Sequence, residues 1–195
     1  VVLVIDTSSL RSALALVDDG RALAEDVSEA GRNQLLASRT AALVDPSRLS
    51  GVAVSLGPGS FTGLRVGVSF GLGLALGLGL PLWGLDSLEL QAARSPIPAT
   101  ALVEAGRDRL YWLEAGSLEP RQGSPGELPA DKPAVGWLRS GTAAAVRQAG
   151  VQLLGEDEIA SFGEAAAVLL GGARRLGYGT VKLRYMQSFG SWLGQ

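Results

Sequence analysis

Two short stretches carry residue types that can handle phosphate. Asp6-Thr7-Ser8 places a carboxylate and two hydroxyls at the end of an apolar run. In an open α/β sheet, ligands gather outside the carboxyl ends of the strands, where such a trio can hold a metal-bound water and phosphate oxygens. The same trio can equally cap a strand-to-turn junction, its side chains bonding nearby backbone. The second stretch, Gly57-Pro58-Gly59-Ser60-Phe61-Thr62-Gly63, follows another apolar run and precedes Arg65. Its glycines permit positive φ and close backbone approach. Ser60 or Thr62 can cap the helix that follows, whose N-terminus attracts anions. No Lys-Ser/Thr follows Gly63 and the glycine spacing is not GxGxxG, so neither common nucleotide loop is present. A tight strand-to-helix connection that needs glycine for packing fits these residues as well as an anion site does.

Composition narrows the chemistry further. The 195 residues include no His and no Cys, which removes disulfides, cysteine nucleophiles, His-dependent triads and the common zinc sites. No metal site is expected beyond a solitary carboxylate-bound ion. Hydrophobic residues make up 47% and charged residues 18%, the balance of a core-forming chain. Lys plus Arg number 17 against 19 Asp plus Glu, so no large basic field exists to hold nucleic acid by charge alone. Arg174, Arg175, Lys182 and Arg184 form a local basic patch, which would act within a larger assembly.

The elements that must position these stretches read clearly in the first half. A β-branched run over 1–5 is a strand buried on both faces. Strands over 12–17 and 22–28 flank an Asp18-Asp19-Gly20 turn. Asn33 is an N-cap for a helix over 34–44, stopped by Asp45-Pro46. A short strand over 52–55 leads into the glycine loop and a long Gly/Leu helix. A strand over 82–85 follows, then a helix capped by Asp86 or Ser87.

The uncharged stretch 66–85 is long enough to span a bilayer, but six glycines and Pro81 interrupt it. It reads as a buried helix ending near Gly79. Asp6 cuts off the apolar start, so no signal peptide is read, and a cytoplasmic location without membrane contact is expected. Gly67, Gly71, Ala75 and Gly79 recur every four residues and so share one helix face. Such a face lets another helix approach closely, whether within the chain or from a partner.

The second half is less regular. Strands over 100–104 and 109–114 form a hairpin, and 117–133 is loop with edge structure. A helix over 142–149, a strand over 151–154, a helix over 163–176 and a strand over 181–185 complete the reading. The order βββαβα implies an α/β fold, half of the actin/Hsp70/hexokinase architecture. Pro96 and Pro98 mark a passage between an N-terminal lobe, 1–95, and a smaller C-terminal lobe, 96–195.

At this level of detail the wording becomes specific. VIDTSS (4–9) followed by AVSLGPGSFTGLRVGVSFGLGLALGLGLPLWGLDSLELQA (53–92) resembles the TsaB family, also called YeaZ. EAGRDRLYW (104–112) is similar to that family's Asp-Ala-Arg-x-x-x-Val-Tyr-Trp segment, and VKLRYM (181–186) weakly resembles its Pro-x-Tyr-Leu-Arg segment. The chain departs from the pattern where Arg32-Asn33-Gln34 replaces His-Ser-Glu, and where Glu104 and Gly106 replace Asp and Arg.

The resemblance implies an actin-like ATPase (ASKHA, ribonuclease H-like) fold with a reduced second lobe. It implies a non-catalytic subunit that pairs with a TsaD-type subunit, joined by a TsaE-type ATPase, to place threonylcarbamoyl on the tRNA adenosine beside the anticodon. On this reading there is no catalytic residue, and Asp6, Thr7 and Ser8 are a vestigial phosphate site. The signature loop is Gly57 to Gly63 with Arg65. Leu35, Leu36, Arg39, Gly67, Gly71 and Ala75 are expected at the partner interface, with a homodimer as competitor for the same face. No cofactor is expected outside the complex, where ATP or ADP can bind, and tRNA is met only indirectly. The competing reading is an actin-fold ATP-dependent kinase or ATPase acting alone.

Overall fold

The computed structural model describes residues 1–29, 36–106 and 108–184. The expected cap Asn33 and the expected interface residue Leu35 lie outside the described residues.

The first sheet grows around β1 (Val2–Asp6), whose residues 3–6 are all buried. On one side β1 pairs antiparallel with β2 (Arg11–Asp18), which turns into β3 (Arg21–Glu29). Asp19 at φ 46° and Gly20 at φ 70° both sit in the left-handed region, the turn chemistry that matches the twist of a two-residue hairpin. On the other side β1 runs parallel to β4 (Gly51–Ser55), and β4 runs parallel to β5 (Leu82–Leu85). A late strand, β10 (Arg174–Leu176), closes that edge antiparallel to β5, giving the order β10-β5-β4-β1-β2-β3.

Both faces of this sheet are covered, which is why β1 and β4 are apolar up to their last residues, Asp6 and Ser55. Leu3, Ile5, Val52, Val54 and Leu82 face α1 (Leu36–Leu43) and α2 (Phe61–Leu78). Val4, Ala13, Ala15, Ala53 and Leu85 face α3 (Ser87–Ala92) and α5 (Phe162–Leu170). α2 passes the length and composition test for a membrane span. In this fold its small-residue side packs on β1 and β4. Gly79, left-handed at φ 66°, ends it where the sequence indicates.

The second sheet has the order β8-β7-β6-β9, from β6 (Thr100–Gly106), β7 (Arg109–Leu113), β8 (Arg121–Gly123) and β9 (Ala134–Val135). One face packs with α4 (Ser140–Gln148) around Leu102, Trp112 and Val146. The other meets α3, which sits between the sheets with Leu90 in one core and Leu88 in the other.

Three expected elements differ. The helix over 163–176 ends at Leu170, and 174–176 is β10. Gly171-Gly172 favours a break, and the free edge of β5 supplies a ladder for the residues beyond. The strand over 151–154 is reduced to a single bridge, Ala134 to Leu153. Residues 181–184 form no strand, because β4 and β10 already occupy both edges of β5; instead the Arg184 amide donates to Leu56 O at 2.8 Å. Thus α5 and β10, from the half expected as the second lobe, belong to the first sheet.

Candidate functional site: the glycine loop over the end of β1

Asp6 is the last residue of β1 and is completely buried. Its Oδ1 accepts from the Ser8 amide at 2.9 Å, closing a local turn. Its Oδ2 and the Ser8 hydroxyl are buried with no hydrogen-bond partner among the described residues. Burial pushes the Asp6 carboxyl above the usual carboxylate range, with Ser8 pulling the other way.

The glycine loop lies directly on this turn. Ser60 N donates to Ser8 O at 2.7 Å, and the Thr7 hydroxyl donates to Gly63 O at 2.7 Å. Ser60 caps α2 by accepting from Gly63 N at 3.2 Å. A Cβ on Gly59 would strike Ser8 O, and one on Gly63 would strike Thr7 O. Glycine is therefore required here for backbone-to-backbone approach, at Gly59 also for its positive φ. Gly57-Pro58 is a cis peptide, and Gly57 O accepts from Ser87 N at 3.0 Å, tying the loop to the start of α3. Of the two readings the sequence leaves open, the geometry is that of the packed connection: the Ser60 and Gly63 amides are used internally. What the loop presents to solvent is Phe61, Thr62 and Arg65, with the Arg65 guanidinium 3.8 Å from the Phe61 ring centre.

The expected interface residues need correction. Gly67 and Gly71 face inward, where a Cβ would strike Thr7 Oγ1 and Val54 Cγ1, and Ala75 is completely buried. The small-residue row is consumed by the chain's own sheet. Leu36 is buried in the same core. Arg39 is spent on β2 and β3: it bonds Asp26 Oδ2 at 2.7 Å, Ser12 Oγ at 2.9 Å, Ser12 O at 3.0 Å and Asp26 O at 2.9 Å.

A second row points outward. Ser69, Gly73 and Gly77 also recur every four residues, and they are exposed. A Cβ on Gly73 or Gly77 would meet nothing within 4 Å. Val66, 36% exposed, and Leu76, 52% exposed, flank this row. The spacing of Gly73 and Gly77 was the signal in the sequence; what hid it was that α2 is apolar on every side.

Two polar clusters lie beyond the loop. Glu104, in place of the family's Asp, accepts from the Arg139 amide at the start of α4 at 2.8 Å. Beside α5 and the β2–β3 side of the first sheet, a cleft of ≈ 490 Å³ is lined by Arg11, Arg94, Trp137 and Glu156 among others. Glu156 joins Arg94 at 2.7 Å, Arg11 at 3.3 Å and the Trp137 indole N–H at 3.0 Å. The two guanidinium carbons lie 4.6 and 5.5 Å from the Trp137 ring centre. These four residues are too scattered in sequence for any local pattern to join them. Among the described residues, no three His, Cys, Asp or Glu side chains converge as a metal-binding group.

Known proteins match both the sequence and the architecture. The family model for TsaD, tRNA N6-adenosine threonylcarbamoyltransferase, matches residues 34–125. The tRNA threonylcarbamoyladenosine biosynthesis protein TsaB of Bacillus subtilis (strain 168) is 35% identical over 99 residues, 47% of this chain and 43% of that protein. An uncharacterised protein of Mycobacterium leprae is 33% identical over 123 residues, 57% of this chain and 34% of its own length. The match therefore spans less than half the length of these curated relatives. YeaZ from Pseudomonas aeruginosa superimposes with a TM-score of 0.71 at 20% identity, over 95% of this chain and 99% of that one, so the two share a fold. The chain is thus similar in sequence to TsaB over 47% of its length and shares its α/β fold with YeaZ.

Proposed function

We propose that this chain is a non-catalytic, cytoplasmic subunit that pairs with a TsaD-type subunit, joined by a TsaE-type ATPase, for threonylcarbamoyl modification of tRNA adenosine next to the anticodon. The outward face of α2 carries this reading. Val66, Ser69, Gly73, Leu76 and Gly77 make an apolar, low-relief stripe that nothing in the described chain covers. Exposed apolar helix surface of this kind is stabilised by association, and its small residues let a second helix come close. The exposed side of α1, with Ala37, Ser38, Ala41 and Ala42, lies over the same face of the sheet and extends the surface. The loop supports a scaffold role rather than phosphate handling, because its Ser60 and Gly63 amides are already bonded to the chain itself. ATP or ADP enters only with the complex.

The test is pairing measured by light scattering on mixtures with the TsaD-type subunit from the same genome. Gly73→Leu with Gly77→Leu should abolish the heterodimer and leave the monomer folded, as checked by circular dichroism, since a Cβ at either site meets nothing within 4 Å. Pairing that survives both substitutions removes this face from the interface. Self-association lost in their place assigns the face to a homodimer. MgATP turnover by the chain alone, lost in Asp6→Ala, supports the kinase or ATPase reading instead.

A further inference from the structure

Charge in this chain is segregated along its length. After Glu164 there is no acidic residue, while Arg174, Arg175, Lys182 and Arg184 follow. Those four of the 17 basic residues put +4 on residues 165–195; 13 basic residues against 19 acidic ones leave −6 on the rest. The fold gathers the four at the edge of the first sheet.

Arg174 and Arg175 are exposed on β10 and, being consecutive in a strand, point to opposite faces. After the turn Tyr178–Thr180, residues 181–184 run back over the α2 side of the sheet. Val181 and Leu183 pack there beside Leu176, so Lys182 is left outward, on the face Arg174 shares with Leu176. Arg184 is held by Asp86, with Glu89 close by. Arg174, Arg175 and Lys182 have no ion pair among the described residues. Tyr178, 38% exposed, donates its hydroxyl to Leu80 O, so its ring is pinned at the mouth of an open groove of ≈ 420 Å³. Arg175 lines the same groove.

We propose that this edge is an RNA-docking surface, in which Arg174, Arg175 and Lys182 take backbone phosphates and the fixed Tyr178 ring stacks an unpaired base. Three unpaired cations on the two sides of one sheet edge, with Arg175 beside a pre-positioned aromatic ring, match a phosphate backbone that passes along the edge with a base beside it. An acidic peptide would use the cations and leave the ring idle. The choice of RNA rests on the tRNA-modification reading above. The contact is direct, where the sequence alone points to tRNA reached only through partners.

The test is fluorescence anisotropy with a labelled, unmodified tRNA transcript and the 195-residue chain. Three phosphate contacts predict a loss of roughly 20- to 40-fold in affinity between about 50 and about 200 mM salt. The triple variant Arg174→Glu, Arg175→Glu, Lys182→Glu should lose binding and salt dependence together. Tyr178→Ala should weaken binding with the salt slope unchanged. A control with the same charge change elsewhere, Arg21→Glu, Arg48→Glu, Arg147→Glu, should bind nearly as the parent does. The proposal is overturned if the parent chain does not bind the transcript, or if the first triple variant binds as the parent does. It is also overturned if both triple variants lose equally, or if poly-glutamate of matched charge binds as tightly. Circular dichroism separates loss of binding from loss of fold. Failure of the tRNA-modification reading would appear separately, as unchanged tRNA modification in cells lacking the protein.

Discussion

Gly71 and Gly73 lie two residues apart in α2 and face opposite ways, which makes them a controlled pair. Alanine at either site gains about 1 kcal/mol of helix propensity. At Gly73 a Cβ meets nothing within 4 Å, so the gain arrives undiminished. For a chain of this size it should raise the melting temperature by about 2–4 °C. At Gly71 the same Cβ would collide with Val54 Cγ1 and press on Ile5 Cδ1 at 3.2 Å and Val52 Cγ1 at 3.3 Å. Overpacking of that kind costs about 1–3 kcal/mol, leaving Gly71→Ala between neutral and about 2 kcal/mol less stable. Propensity cancels between the two variants, so their difference isolates the collision at about 1–3 kcal/mol. Urea unfolding followed by far-UV circular dichroism, on samples monomeric by light scattering, reads both. Equal midpoints, or a Gly71→Ala variant more stable than Gly73→Ala, would show that the inward and outward faces of α2 have been assigned the wrong way round.

Two further outcomes follow from the buried polar groups. Asp6 has its folded-state pKa raised by burial above the ordinary value of 3.8, so the folded state loses stability as pH climbs from there through the raised value. Asp6→Asn keeps an acceptor for the Ser8 amide and does not ionise. Its stability relative to the parent should therefore grow as pH rises above 3.8, while Asp86 and Glu89, also raised by burial, cancel in the comparison. Urea midpoints measured upward from that pH check it, and a constant gap would contradict burial as the main influence on Asp6. Glu156→Ala leaves Arg94, whose side chain is 3% exposed, with only Gln91 Oε1 and Ala160 O, and leaves the Trp137 indole N–H unpaired. We expect a loss of about 1–3 kcal/mol with a shift in tryptophan emission, and a change below about 0.5 kcal/mol would refute that role.

What the sequence discloses and what it hides divides along physical lines. β1 to β5, the Asp18-Asp19-Gly20 turn and the Gly79 stop are local patterns of alternation and backbone permission, and they stand where the sequence indicates. β10 could not be read, because three residues become a strand only when the free edge of β5 is present to pair with them. The direction of α2 was hidden for another reason. Two small-residue rows, Gly67-Gly71-Ala75 and Ser69-Gly73-Gly77, both satisfy close approach, and only the neighbouring Val52 and Val54 decide which is inside. Arg39 resembles a surface residue until β2 and β3 supply four acceptors. The Arg11-Arg94-Trp137-Glu156 cluster has no sequence signal, since its members come from four separate parts of the chain.

The most direct test of membership in the tRNA-modifying assembly is nucleoside mass spectrometry of tRNA from cells depleted of this protein, with and without a plasmid copy. Threonylcarbamoyladenosine should fall on depletion, return with the parent gene, and fail to return with the Gly73→Leu, Gly77→Leu variant at equal protein level. Unchanged threonylcarbamoyladenosine in depleted cells would contradict the proposed function.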